Sequence, residues 1–228
     1  MNIESINYAK YIDHTLLKMD ATDTEIKAVC KQAIEYDFFS VCVNSCYVPL
    51  VSEELAGSKV KTCSVIGFPL GACLTSVKAF EAKAAIEAGA HEIDMVINVG
   101  FLKSNYMDKF IDDIRQVKDV TVNAGALLKV IFETCLLSKD EIKTVSEICR
   151  DLEVEFVKTS TGFSSGGATV EDVTLMREIV GDKLGVKASG GVRDKATAFA
   201  MISAGATRLG SSSGVSIVSD EKNSHNGY

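Results

Sequence analysis

The chain has 228 residues, enough for one large domain with a sizeable core, and with 46% hydrophobic and 24% charged residues its composition is that of a globular protein. The formal net charge of -7 argues against a nucleic-acid partner, because no excess of lysine and arginine is left to neutralise phosphates. Lysines are scattered, no apolar run approaches the roughly 20 residues that span a bilayer, and the N-terminal stretch carries an early acid without an apolar signal core. The sequence therefore reads as cytoplasmic, with no membrane or nucleic-acid partner.

In chain order, two kinds of segment alternate. Residues 11–17 (YIDHTLL) form a short apolar stretch. TDTEIKAVCKQAIEYD follows, where Ile26, Val29, Cys30, Ala33 and Ile34 recur at helical spacing and Thr22 or Asp23 can cap. Residues 38–45 and 61–68 are again short and rich in Val, Ile and Phe, and SVKAFEAKAAIEAGA is an Ala-rich helix that stops at Gly89. Apolar stretches at 92–100, 127–134, 155–162, 184–191 and 207–214 alternate with YMDKFIDDIRQVK, SKDEIKTVSEICRDL, TVEDVTLMREIVG and RDKATAFAMISAG. Ser138 and Thr169 are caps with acids in the first turn.

The near-continuous hydrophobicity of the short stretches predicts strands buried on both faces. Eight of them alternating with helices, in a chain near the ~250 residues typical of the class, predict a (β/α)8 TIM barrel. A doubly wound open sheet is the alternative. No linker divides the chain, so residues 1–228 are expected to form a single domain with a short polar tail from about 219 to 228.

Seven cysteines cannot all pair within the chain, and several lie in apolar runs, as expected of small buried residues in a reducing compartment. Cys42 and Cys46 lack a second pair or a nearby histidine that would complete a zinc site. His91-Glu92 begins like a zinc-protease motif, but Met95 stands where the second histidine belongs. No metal or other cofactor is expected.

Charges inside the predicted strands are informative because burying them is costly. Asp13, Asp94, Lys129 with Glu133, Lys158 and Lys187 all fall there. Strand alternation puts Lys129 and Glu133 on one face, Lys158 with Ser160, and Lys187 with Ser189. Facing inward, they converge toward the C-terminal mouth, where barrels of this class keep their chemistry. Interior salt bridges are one reading, with Lys129–Glu133 a fair candidate. The other starts from two lysines on adjacent strands, whose mutual repulsion and burial should depress the pKa of at least one. A neutral amine is what a nucleophile for carbonyls requires, so this reading is a lysine Schiff base.

The loops after the last strands add a second clue. Thr159-Ser160-Thr161-Gly162, Ser189-Gly190-Gly191 and Gly210-Ser211-Ser212-Ser213-Gly214 are small and rich in donors. Such loops let backbone N–H groups approach an anion, and barrels commonly hold phosphate after strands seven and eight.

At these residues the sequence resembles the deoxyribose-phosphate aldolase family nearly end to end. The resemblance is carried by YIDHTLLK, VCVN, VIGFPLG, EIDMVINVG, LLKVIFET, FVKTSTGFSSGGAT, VKASGGVR and AGATRLGSSSG. It implies a barrel enzyme that reversibly cleaves 2-deoxy-D-ribose 5-phosphate to glyceraldehyde 3-phosphate and acetaldehyde, in deoxyribonucleoside catabolism and without a metal. Lys158 then matches the Schiff-base lysine. Lys187 matches the second lysine, which eases the first into its neutral form, and Asp94 the carboxylate of the acid–base steps.

By the same resemblance, phosphate rests on Gly162, Gly190, Gly191, Ser212 and Ser213, with Thr161 beside them. Asp13 and Lys129 line the pocket, and Cys42 lies where the family has a cysteine that aldehydes modify, a small core residue being the equal alternative. Tyr228 matches a terminal tyrosine that assists proton transfer in many members, with an idle tail as the alternative. Ser45 stands where proline is usual, which implies a looser loop, and Phe163 replaces a lysine of some members, which removes a phosphate contact. Family members are often dimers, so a homodimer is the assembly the resemblance allows. Two alternatives stay open: a Schiff-base enzyme that uses ketone donors, and a barrel that binds sugar phosphate without turning it over.

Overall fold

A computed structural model describes residues 3–219. Eight parallel strands, β1 (Ile12–Leu16), β2 (Ser40–Asn44), β3 (Lys61–Ile66), β4 (Glu92–Val96), β5 (Leu127–Ile131), β6 (Phe156–Lys158), β7 (Gly185–Ser189) and β8 (Arg208–Ser211), follow one another around a closed barrel. The closing ladder sets Ile12 opposite Leu209 and Asp13 opposite Gly210, which rules out an open sheet with two free edges. The helices are α1 (Asp23–Glu35), α2 (Val48–Glu54), α3 (Thr75–Glu87), α4 (Val99–Lys103), α5 (Met107–Ala124), α6 (Lys139–Asp151), α7 (Val170–Val180), α8 (Lys195–Ser203) and α9 (Gly214–Val218). No helix among the described residues is long and apolar enough to cross a membrane.

The strands are buried on both faces, as their composition predicts, but the two faces differ. Val41 and Val43 of β2 join the main core beneath the helices, while Cys42 between them packs with Cys63, Val65 and Leu17 in a separate apolar cluster. The outer core is therefore hydrocarbon, whereas the barrel interior carries most of the buried charge.

Helix starts follow local chemistry. Thr22 and Ser138 form capping boxes with Glu25 and Glu141, and the Thr169 side chain accepts from the Asp172 N–H. Three short helices, α2, α4 and α9, escape the sequence pattern, since at seven residues or fewer they show no readable period. The strand expected over 92–100 ends at Val96, because Asn98 caps α4 by accepting from the Phe101 N–H at 3.0 Å. The stretch 207–214 likewise stops as a strand at Ser211. Ser45, expected to loosen its loop, ties it instead: its hydroxyl donates to Glu81 Oε1 at 2.8 Å, and the other Glu81 oxygen accepts from the Gly67 N–H at 2.9 Å. The tail beyond Ser219, including Tyr228, lies outside the described residues.

One ion pair sits outside the barrel and is fully enclosed. Lys78 of α3 donates to Asp113 Oδ2 of α5 at 2.5 Å and to the Val96 carbonyl at 2.9 Å, and Thr75 donates to Asp113 Oδ1 at 2.9 Å. Two helices are thereby fixed to the end of the strand that carries Asp94. Asp113→Ala leaves the ammonium buried without its counter-charge and should cost about 3–5 kcal/mol. The urea midpoint measures this, and a loss under about 1 kcal/mol would show that the pair contributes only packing.

Candidate active site

The barrel interior holds a network of seven ionisable groups built around Asp94. Asp94 Oδ2 lies 2.8 Å from Lys158 Nζ and 2.8 Å from Lys187 Nζ, and Oδ1 lies 2.8 Å from Lys129 Nζ. Register explains the convergence: Asp94 stands opposite Lys129 on β5, and Lys158 opposite Lys187 on β7, so each pair projects to the same side of the sheet. Beneath them Lys187 contacts Asp13 Oδ2 at 2.5 Å, and Lys129 contacts Glu92 Oε2 at 2.5 Å. Arg208 closes the floor, bridging Asp13 Oδ1 at 2.9 Å and Glu92 Oε2 at 3.0 Å, with its guanidinium carbon 3.3 Å from the Phe39 ring centroid.

Three carboxylates (Asp13, Glu92, Asp94) face four cations (Lys129, Lys158, Lys187, Arg208), so full ionisation leaves one positive charge in excess. Burial alone would push the Asp94 carboxyl up, but Lys129, Lys158 and Lys187 hold it well below the usual carboxylate range. Asp13 is held low in the same way against its burial, by Lys187, Arg208 and Lys129. The expectation that crowding depresses a lysine does not describe Lys187 or Lys129. Burial pulls both down, but Asp13 and Asp94 push Lys187 up, and Asp94, Cys63 and Glu92 push Lys129 up. Both are held as cations.

Lys158 stands apart. Asp94 is its only ion-pair partner among the described residues, and it alone of the seven lines a cleft at the barrel mouth. Thr161, Gly162, Ser189, Gly190, Gly191, Arg193 and Ser212 form the polar side of this cleft, with Leu17 and Phe163 on the apolar side. Phe163 meets Phe68 edge to face, their ring centroids 5.3 Å apart. A wall rich in backbone N–H groups beside an arginine suits a phosphate, and a buried lysine at the bottom suits a carbonyl.

Hydrogen bonds hold the polar loops to one another. Ser189 Oγ donates to the Ser160 carbonyl at 2.5 Å, Thr159 Oγ1 to the Ser189 carbonyl at 2.9 Å, and Ser211 Oγ to the Val192 carbonyl at 2.6 Å. Gly190 and Gly191 have φ of +84° and +83°, a conformation that an L side chain would strain. The Gly190 carbonyl accepts from the Ala168 N–H at 2.9 Å, and a Cβ on Gly167 would come within 2.2 Å of that oxygen.

The structure brings Lys158, Lys187, Asp94, Asp13 and Lys129 together, and sets Thr161, Gly162, Gly190, Gly191 and Ser212 in the cleft wall. Ser213 is not in that wall; its N–H donates to Ser211 Oγ at 3.0 Å. Cys42 is fully buried against Cys63, whose hydrogen bond draws the Cys42 thiol below its ordinary range, while burial pushes Cys63 well up. Lys129 and Glu133 do not pair, because β5 ends at Ile131 and the alternation does not reach Glu133. Sequence reasoning missed Glu92, Arg208, Cys63 and Arg193. Alternation in EIDMV puts Glu92 on the Asp94 side, and that signal was readable. Arg208 opens its strand and resembles a solvated end.

The chain matches the DeoC/LacD family aldolase model over residues 8–220. It is 61% identical over 220 residues to a deoxyribose-phosphate aldolase of Mannheimia succiniciproducens, covering 96% of this chain and 97% of that protein. Among solved structures it is similar to QR15, an aldolase, with a TM-score of 0.90, 43% identity and coverage of 94% of this chain and 96% of that one. It is also similar to the tetrameric deoxyribose phosphate aldolase of Aeropyrum pernix, with a TM-score of 0.86, 32% identity and coverage of 92% and 88%.

The lowered carboxylates set an acid limit on stability. Asp13 and Asp94 titrate lower in the folded chain than in the unfolded one, so between the two values the unfolded chain binds more protons. Their contribution is complete above about pH 4 and is lost as pH falls through the folded values. Asp13→Asn should lower the urea midpoint at pH 7 and flatten its fall below about pH 4. A variant curve parallel to that of the wild type would contradict this account.

Proposed function

The chain belongs to the DeoC/LacD aldolase family, and from that premise we propose that it reversibly cleaves 2-deoxy-D-ribose 5-phosphate to D-glyceraldehyde 3-phosphate and acetaldehyde through a Schiff base on Lys158. The observation that carries this reading is that, among the described residues, Lys158 alone connects the buried charge network to the cleft. Lys158 has one carboxylate partner among the described residues, Asp94, and of the seven groups it is the one that a substrate in the cleft can reach.

The neutral Lys158 amine adds to C1 of the open-chain aldehyde, giving a carbinolamine. Lys187, held charged, supplies the proton with which the C1 hydroxyl leaves as water, and an iminium remains. The iminium draws in the electrons of the C2–C3 bond as the C3 hydroxyl loses its proton, releasing glyceraldehyde 3-phosphate and an enamine. Protonation of the enamine at C2 and hydrolysis free acetaldehyde and restore the amine. Asp94, 2.8 Å from both Lys158 Nζ and Lys187 Nζ, orients the two lysines and takes part with Lys187 and water in carrying the protons.

The substrate phosphate lies on the Gly162, Gly190–Gly191 and Ser212 loops, with Arg193 as counter-charge and Ser213 behind them. The reaction needs no metal in this reading. Cys42, Cys63 and Asp94 come within 4.8 Å of one another, but Lys129, Lys158 and Lys187 already surround Asp94, so a cation there would meet three ammonium groups. The seven free cysteines support a reducing, cytoplasmic setting. The enzyme works as a single domain, with a homodimer as the assembly, although the Aeropyrum pernix relative is a tetramer.

Cleavage of 2-deoxy-D-ribose 5-phosphate, followed through the aldehydes released, tests the reading. Lys158→Ala should lose at least about 10⁴-fold in kcat, as expected for removal of a covalent nucleophile. Lys187→Leu removes a fixed cation beside the amine and should move the acid limb of the kcat/KM profile alkaline by on the order of one pH unit. A Lys158→Ala enzyme with near wild-type turnover would overturn the assignment, and an unmoved Lys187→Leu profile would remove the role given to the second lysine.

A further inference from the structure

The Glu133 side chain remains outside the charge network and outside the reaction. Four non-glycine residues among those described have positive φ: Asp37, Asn105, Glu133 and Glu153. Three are exposed, whereas Glu133, at φ +59°, is buried at 4% exposure. A bulky residue in the left-handed region is strained, and such strain persists where the surrounding structure requires that residue.

The requirement is visible in its contacts. Glu133 Oε1 accepts from the Thr161 N–H at 3.2 Å, and Oε2 accepts from the Thr161 hydroxyl. The Thr161 oxygen in turn accepts from the Phe163 N–H at 3.0 Å. The single hydroxyl proton of Thr161 is thus committed to Glu133, so this hydroxyl has none to give a ligand. The amides on either side of Gly162 are also turned inward. Gly162, at φ +88°, lies between them in the cleft wall, and its N–H has no partner among the described residues. No cation pairs with Glu133 among the described residues.

We propose that Glu133 is a positioning residue for anion recognition: by occupying Thr161 and the Phe163 amide, it presents the Gly162 N–H to the substrate phosphate. The left-handed backbone turns the side chain from the end of β5 toward the loop after β6. This inference rests on the phosphate-binding reading of the cleft and assigns the loop's geometry to a residue that touches neither substrate nor Lys158.

The test compares 2-deoxy-D-ribose 5-phosphate with unphosphorylated 2-deoxy-D-ribose in wild type, Glu133→Gly and Glu133→Gln. Glycine accepts the positive φ, so that variant removes the side chain and its carboxylate without straining the backbone. Glutamine keeps an acceptor for the Thr161 N–H. Glu133→Gly should raise KM for the phosphorylated sugar by about 10-fold, on the scale of one lost positioned hydrogen bond. Its kcat/KM for the unphosphorylated sugar should stay within about 2-fold, and Glu133→Gln should fall between it and wild type. Equal losses on both sugars in the folded variants, or no change on either, would overturn the role of Glu133. A wild type that does not prefer the phosphorylated sugar would instead overturn the phosphate reading beneath it.

Discussion

Everything in the barrel interior depends on one carboxylate. Asp94 receives three lysines, two on the same oxygen, at 2.8 Å each. A buried ammonium without a partner is strongly destabilising, by about 3–5 kcal/mol when a pair is broken, so these side chains tolerate burial only together. The same arrangement keeps Lys158 and Lys187 on either side of one oxygen atom, closer than their repulsion would otherwise allow. Stability and chemistry are here the same contacts. Asp13, Glu92 and Arg208 complete the network from below, and its carboxylates favour the charged forms of Lys187 and Lys129. The lysine with least carboxylate company is the one at the cleft.

The polar loops follow a related logic with neutral groups. Hydroxyls on the last strands satisfy carbonyls of the neighbouring loop, from Thr159 and Ser189 to Ser211, so the loops are fixed before any ligand arrives. Glycines at Gly162, Gly190 and Gly191 keep side chains away from the backbone N–H groups that line the cleft. A phosphate is recognised best by donors that need not move, and these loops supply them without using lysine.

Much of this was readable from residue pattern alone. Eight apolar segments predicted eight strands, because double-sided burial leaves a strong, local mark in composition. The lysines at 158 and 187 announced themselves by standing where charge is costly. What was not readable depended on geometry beyond a strand's end. Glu133 looked like a partner for Lys129 only while the alternation was carried past Ile131, where the backbone in fact turns left-handed. Lys187 was expected to be among groups at risk of losing charge, because the repulsion between lysines is visible in the sequence while the carboxylates Asp13 and Asp94 on other strands are not. Ser45 was expected to loosen its loop because it stands where proline is usual in the family, and the partner that ties it, Glu81, lies 36 residues away, beyond the reach of local pattern.

The central claim is that Lys158, and no other amine, meets the carbonyl. Intact-protein mass spectrometry after incubation with acetaldehyde and sodium borohydride, followed by peptide mapping, tests it most directly. The account predicts a single ethyl group, located on Lys158. An adduct on Lys187 or Lys129, or a folded protein that takes up none, would contradict it.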